Sequence, residues 1–379
     1  MSEYQYYEFQ AIDRRLSDKE MQELRSHSTR AQITPTSFVN EYSFGSFKGD
    51  EDAWMDKYFD AFLYVANWGT HLFKLRLPAK LLSLDTARQF CSGDPISVRE
   101  KSGNLIFTFV SEEEAGGDWI EGGGLLASLL PIRDEIARGD LRALYLGWLL
   151  CIQDGNVDEK NLEPPVPANL GQLSGSLSSL AEFLRLDPDL LAVAAQTSPT
   201  TRPRVDTNDE ALARWLTSLP SEEKDRLLLA AMQGKNASVG MELWSRFHRQ
   251  ESVGRSQPPR RTAGELIAAA RDFNEKRRRE AARKAAQEKA RRDREAAIAR
   301  EKHLDSIASR PVELWDQVEQ LIATRQSKSY DLAVEHLMDL RDLAARQGTK
   351  SGFTDRMAAF RQVHARKPGV ITRLNEKGM

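Results

Sequence analysis

Residues 262–310 read TAGELIAAARDFNEKRRREAARKAAQEKARRDREAAIAREKHLDSIASR. The run is dense in Arg, Lys, Glu and Ala, with no proline before Pro311 and no glycine after Gly264. Thr262 stands three residues before Glu265, the spacing of a capping box that opens a helix. Pro311 is a stop, or the first residue of the next helix. A single helix of about 48 residues, at roughly 1.5 Å each, is a rod of about 70 Å. Such a rod cannot fold back into a compact core. It is a solvated helix, one strand of a coiled coil, or an arm that binds something.

The rod carries Arg277-Arg278-Arg279, Arg283-Lys284 and Arg291-Arg292. Phosphate backbones attract such local positive charge, so these seven residues are the candidate phosphate-binding or partner-binding set. The same helix also has internal support. Glu275–Arg279, Glu280–Lys284 and Glu288–Arg292 stand four apart, each pair worth about 0.2–0.5 kcal/mol. A coiled-coil seam would be mostly alanine (Ala281, Ala285, Ala286, Ala290, Ala297), with strong apolar residues only towards the ends (Leu266, Phe273, Ile298, Leu304). Alanine buries little area, so that seam is weak. Charge runs are usually solvated faces. A solvated or interdomain helix therefore leads, a protein-binding face follows, and a nucleic-acid arm comes third.

The whole chain has 379 residues and a net charge of −2, and that small value hides a split. Residues 1–259 hold 27 Lys and Arg against 38 Asp and Glu; residues 260–379 hold 27 against 18. An acidic front and a basic back attract each other, or the back engages a polyanion. The length suits about two to three domains. Two cysteines, Cys91 and Cys151, build neither a disulfide framework nor a zinc site, and a reducing compartment is the simpler reading. The N-terminus lacks a basic region followed by an apolar run, so no signal peptide is expected. The longest apolar stretch, Leu141–Ile152, is about a dozen residues where a membrane span needs about 20. The expectation is a cytoplasmic protein without a membrane segment.

Ahead of the rod, the first part reads as α+β. Tyr4–Ile12 is an aromatic strand, and Ser17 with Glu20 opens a helix. Ala31–Val39 is a strand demoted to an edge by Pro35. Asp50–Phe59 suits a short helix. Ala61–Trp68 and His71–Leu77 flank Gly69-Thr70 as a type II′ hairpin. Ile96–Lys101 and Leu105–Val110 flank Ser102-Gly103-Asn104, with a helix at Leu84–Phe90 between the hairpins. Leu105–Val110 is apolar on both faces, so it is an interior strand. Helices then follow at Leu125–Ile136, Leu141–Ile152, Leu177–Leu186, Pro188–Ala195, Asp209–Leu216 and Ser221–Ala231. Beyond the rod come Pro311–Thr324, Tyr330–Gln347, Phe353–His364 and Val370–Glu376. Leu332, Val334, Leu337, Leu340 and Leu343 recur at helical spacing, and Gly348 is placed as a C-cap. The expected fold is an α+β domain over residues 1–111, then a mostly helical region over 112–250 with a linker near 162–176. A linker at 251–261, the long charged solvated helix at 262–310 and a small helical C-terminal domain at 311–379 complete it.

Other constellations point weakly to chemistry. Tyr4, Tyr6, Tyr7 and Phe9 have no glycine-aromatic motif on a second strand to match them, so packing outweighs base stacking. Asp154-Gly-Asn156-Val-Asp158 has the opening of a calcium loop, but Glu159 and Pro165 occupy its required Gly and Glu positions. Asx turns explain the same residues. Glu112, Glu113, Glu114, Asp118 and Glu121 form an acidic loop that suits solvent, or the basic rod, better than a metal. Gly122-Gly123-Gly124 before Leu125 reads as a flexible connection rather than an anion site. The six histidines are scattered, and although Cys91 and His71 can meet in a fold, nothing local marks a nucleophile. No catalytic residue, cofactor or metal is assigned.

Tyr4-Gln-Tyr-Tyr-Glu-Phe9 followed by Ala11-Ile-Asp-Arg14 resembles the start of a bacterial protein family. Arg261-Thr-Ala-Gly-Glu-Leu266 and His364-Ala-Arg-Lys-Pro368 resemble the same family, so the likeness extends over most of the chain. It brings no activity or catalytic residue. The chain is also similar to regulatory proteins of type III-E CRISPR defence loci. That resemblance implies a regulator that is cut by a caspase-like protease and controls a partner, although no cleavage motif stands in this sequence. Together these readings favour a non-enzymatic bacterial scaffold or regulator that binds protein partners, with nucleic-acid binding through the rod as the alternative and an enzyme of unknown type behind both.

Overall fold

Tyr6 and Tyr7 point to opposite faces of their strand, as the two-residue period of a strand requires, and that alternation builds three layers. In the computed structural model, which describes residues 4–45, 47–113, 121–200, 209–232, 239–240, 243, 246–247 and 260–379, seven antiparallel strands form one sheet. They are β1 (Gln5–Gln10), β2 (Gln32–Thr34), β3 (Ser37–Tyr42), β4 (Ala61–Ala66), β5 (His71–Pro78), β6 (Ile96–Lys101) and β7 (Asn104–Ser111). Their order is β2-β3-β1-β4-β5-β7-β6. Tyr7, Phe9, Phe38 and Phe62 face α1 (Asp18–His27) and α2 (Glu51–Lys57), where Trp54, Met55 and Phe59 complete an aromatic layer. Phe9 stacks on Phe62 with ring centres 4.2 Å apart. Tyr6, Leu63, Phe73, Phe107 and Phe109 face the other way, into a larger helical core. The opening aromatics are thus packing residues, and β7, paired with both β5 and β6, is interior.

Local signals explain most boundaries. At α1, Ser17 Oγ accepts the Glu20 N–H at 3.3 Å, and Glu20 accepts the Ser17 N–H at 2.8 Å. The Arg14 guanidinium beside Glu20 holds that carboxyl down at about 2. Ser102 and Gly103 both have positive φ (51° and 75°), the pair of left-handed residues that a type I′ turn needs. The other hairpin differs from the expected two-residue turn. Ala66 pairs with Thr70, and Asn67-Trp68-Gly69 form a three-residue loop in which Gly69 takes φ +103°. A two-residue turn places its glycine first; here the left-handed residue comes last, as three-residue loops require. The single strand expected over Ala31–Val39 is in fact two, β2 and β3. Pro35 sits in the turn between them, because it has no N–H for the ladder.

The second layer holds α3 (Leu84–Arg88), α4 (Leu125–Leu129), α5 (Pro131–Ala137), α6 (Arg142–Gln153), α7 (Gly175–Phe183) and α8 (Pro188–Gln196). The expected helix Leu125–Ile136 is two helices, since Pro131 opens α5 at its first position and cannot continue α4. Every residue of α6 from Ala143 to Ile152 is buried, as a helix apolar on all sides must be. Gly147 lets α6 approach β6: a Cβ there would lie 2.7 Å from the Ile96 side chain. The proline-rich stretch near 162–176 is a loop that contributes Leu170 to this core. Beyond it lie α9 (Asp209–Ser218) and α10 (Ser221–Met232). Of the expected 251–261 linker, residues 251–259 lie outside the described residues, as do Glu114 and Asp118 of the acidic loop.

The remainder is helical: α11 (Ala263–Ile307), α12 (Pro311–Ala323), α13 (Ser327–Gln347), α14 (Lys350–Val363) and α15 (Pro368–Glu376). The chain divides into two compact units, Met1–Lys276 and Arg277–Met379, and α11 runs through the boundary. In the second unit Trp315, Val318, Leu337, Leu340, Phe360 and Leu374 share one core. Val334, Leu337, Leu340 and Leu343 face it as their spacing predicts, but Leu332 points outward and is 43% exposed. It falls two residues before Val334, which a 3.6-residue period places on the far side. Gly348 ends α13 at φ 72°.

Candidate interaction surface on the long helix

The start of α11 is fixed by a strap from the first unit. Thr262 and Glu265 exchange the two hydrogen bonds of a capping box, at 2.8 and 3.2 Å. The Ala263 and Gly264 N–H groups, which an unattached helix would leave unpaired, donate to the Asn161 and Glu159 carbonyls at 2.9 Å each. Glu163 N–H donates to the Arg261 carbonyl at 2.8 Å. The side chains repeat the link: Arg261 Nε and Nη2 donate to Glu163 at 2.9 and 2.8 Å, and Tyr145 Oη donates to the same carboxylate. Glu163 is 1% exposed. Burial works against the Arg261 cation, yet the hydrogen bonds and charge of Glu163 more than reverse that, leaving its pKa above the ordinary value. Ala263, Leu266 and Ala270 then enter the core, and Asn274 donates to the buried Asp189.

Its other end is held within the second unit. Leu304 and Ile307 join that core. Arg300 donates to Asp339 and Asp342, His303 Nε2 lies 2.8 Å from Asp339, and Arg346 reaches Glu301 and Asp305 at 3.2 and 2.7 Å. Between these anchors every residue from Glu275 to Ala299 is exposed. Alanine, arginine, lysine, glutamate and glutamine dominate there, and these are strong helix formers, so local propensity supports the helix where little of it is buried.

All seven candidate residues, Arg277, Arg278, Arg279, Arg283, Lys284, Arg291 and Arg292, lie on this exposed segment. They do not share one face. At about 100° per residue, Arg277, Lys284 and Arg291 fall on one side, Arg278 and Arg292 on a second, and Arg279 and Arg283 on a third. Arg292 bonds Glu288 at 2.7 Å, and Arg291 lies 3.8 Å from Glu295. Over Lys276–Arg294 the segment still carries ten Lys and Arg against three Asp and Glu. Beside the anchored start of α11, a cleft of about 930 Å³ has apolar walls from Ile152, Val157, Leu190 and Ile267. Asp158, Lys160 and Arg271 at its rim present both signs of charge.

The other candidate groups are structural. Asp158 Oδ1 accepts the Lys160 N–H at 2.8 Å, an Asx turn. Among the described residues no three His, Cys, Asp or Glu side chains converge as metal ligands do. Glu113 pairs with Arg185 at 3.5 Å. Gly122 lies over Tyr6, where a Cβ would come within 2.2 Å of the ring, so the glycine is a packing requirement. Cys91 and His71 keep separate company. Cys91 Sγ faces the Ala87 carbonyl, and burial pushes its thiol up to about 12. Burial likewise pushes Cys151 up to about 11.

His71 is buried between two groups of fixed polarity. Its Nδ1 lies 2.7 Å from the Phe183 carbonyl, which only accepts, and its Nε2 lies 2.8 Å from Arg185 Nη2, which only donates. The neutral ring with hydrogen on Nδ1 fits both. Burial lowers its pKa, and Arg185 adds to that. A depressed histidine pKa means stability is complete above the ordinary 6.5 and is lost as pH falls below it towards the folded value. Urea titrations from pH 7.5 to 5 should show a slope of at most about 1.4 kcal/mol per pH unit for one proton. A His71→Gln chain should lack that component; an identical slope in both would refute the assignment.

Two parts of this surface have no signature in residue spacing. The strap residues Asn161 and Glu163 lie in an irregular loop, and the anchors Asp339 and Asp342 carry no local mark. No protein-family model, curated protein or solved structure significantly matches the chain.

Proposed function

We propose that the chain is a non-enzymatic scaffold or regulatory protein that binds protein partners, with α11 as spacer or binding face. One observation carries this reading: a helix anchored at both ends is solvent-exposed from Glu275 to Ala299. Such a segment presents side chains on every side without unfolding, and its helicity costs no packing energy to expose. The resemblance to regulators of type III-E CRISPR loci is compatible with this reading, because an exposed connector is accessible to a protease. Native pull-down from the source cell, with and without nuclease and read by mass spectrometry, tests the reading. A nuclease-resistant protein partner supports it; recovery of nucleic acid, with every co-purifying protein lost on digestion, sinks it.

The excess of ten cations over three anions across Lys276–Arg294 favours a second reading, in which α11 binds nucleic acid through phosphates. That reading requires affinity to fall steeply with salt, and to collapse when Arg277, Arg278, Arg279, Arg291 and Arg292 are neutralised together. The distribution of these residues around three sides counts against it, because one duplex backbone meets only part of a helix circumference at a time.

A further inference from the structure

On the second unit, α13, α14 and the residues Gly378 and Met379 line a cleft of about 550 Å³. One face of α14 lines it: Lys350, Phe353, Thr354, Met357, Ala358 and Arg361. The spacing of three, one, three, one and three residues is that of a single helical stripe. From Lys350 to Arg361 the stripe runs about 16 Å at 1.5 Å per residue. It is apolar in the middle, where Met357 is buried and Phe353 half-buried, and cationic at both ends.

These cations are poorly matched within the molecule. Lys350 has no carboxylate partner among the described residues. Arg361 bonds the neutral amide of Asn375, and its Nε is buried without any acceptor. Arg341 adds a third cation from α13. Asp342, the lining residue with an acidic side chain, is already shared by Arg300 and Arg341 at 2.6 and 3.2 Å. Thr349 gives α14 no side-chain cap, so the first N–H groups beside Lys350 also favour an anion.

We infer that this cleft binds a short segment of a protein partner, apolar at its centre and acidic at both ends. About 16 Å accommodates five extended residues or three helical turns, with apolar side chains on Phe353 and Met357 and carboxylates at Lys350 and Arg361. Charge complementarity selects this occupant: a basic or neutral segment leaves both ends unmatched. The inference rests on the partner-binding reading and adds to it a contact on α14, beside the role of the long helix as spacer or binding face.

The test uses the full chain and two arrays of peptides, each array holding five-residue members for the extended occupant and ten-residue members for the helical one, with Leu, Ile, Met or Phe at central positions. One array carries Glu at both ends, the other Lys. The chains compared are native, Ala358→Glu and Ala359→Glu. Both alanines are exposed on α14 and both changes add one negative charge, but only Ala358 lines the cleft. The native and Ala359→Glu chains should retain Glu-ended peptides at least ten-fold more tightly than Lys-ended ones, and Ala358→Glu should lose that affinity ten-fold or more. Thr354→Glu, also exposed, should repeat the loss. No Glu-ended binding, or equal binding by the two alanine variants, overturns the inference. So does a concentration-dependent dimer that only Ala358→Glu dissolves, which would make a second copy the occupant. A pull-down partner retained by Ala358→Glu overturns the cleft and leaves partner binding standing; no partner for the native chain removes both.

Discussion

Glu163→Ala should destabilise the first unit by about 3–5 kcal/mol, the usual cost of removing one member of a buried ion pair. Two effects combine. Arg261 keeps its charge in a half-buried position with no carboxylate, and Tyr145, fully buried, loses the acceptor for its hydroxyl. Urea denaturation followed by circular dichroism and tryptophan fluorescence reads this, and the buried Trp148 packs 5.5 Å from Tyr145 in the affected core. Glu163→Gln should cost less, since an amide oxygen still accepts while the charge is gone. Arg261→Met in the Glu163→Ala background should recover part of the loss by removing the orphaned cation. If Glu163→Ala costs under about 1 kcal/mol, in the range of an exposed pair, the strap does not hold the start of α11.

The second large effect is expected from Ala286→Pro. Ala286 is exposed near the middle of α11, where proline removes a backbone hydrogen bond and clashes with the preceding turn, at about 3 kcal/mol or more. Ala286→Gly, at about 1 kcal/mol, is the graded comparison. Neither core includes Ala286. The urea midpoints for unfolding of the two cores should therefore move little, while far-ultraviolet circular dichroism loses helix. If the continuous helix serves as spacer or binding face, partner recovery should drop at least ten-fold for the proline chain and less for the glycine chain. Undiminished recovery by Ala286→Pro would show that binding does not use the helix as one piece.

The parts of this fold legible in the sequence are those with local causes. Thr262 and Glu265 mark the start of α11, the dozen apolar residues at Leu141–Ile152 mark α6, and Ser17 with Glu20 marks α1. Each depends on residues within one or two turns of one another. Boundaries differ from expectation where one residue serves two roles. Pro131 ends one helix by starting another, and Gly69 takes the last rather than the first position of its turn. The sheet order is not legible, since β1 pairs with β3 and β4 across dozens of intervening residues. The strap is the extreme case: Glu163 and Arg261 stand 98 positions apart, and nothing near either one announces the other. For the candidate surface, the basic clusters are visible as composition, but their scatter around three sides requires helix phase. The α14 stripe is visible only as an ordinary amphipathic pattern. Its place in a cleft depends on α13 and on Gly378 and Met379, which lie outside the stripe.

The two native thiols also decide how this protein can be followed in solution. With Cys91 pushed up to about 12 and Cys151 to about 11, both remain protonated near neutral pH, and maleimide chemistry needs the thiolate. A cysteine introduced at an exposed alanine of α11 would therefore react first by a wide margin. Fluorophores or spin labels can be installed in the natural background, without first stripping the protein of its own cysteines.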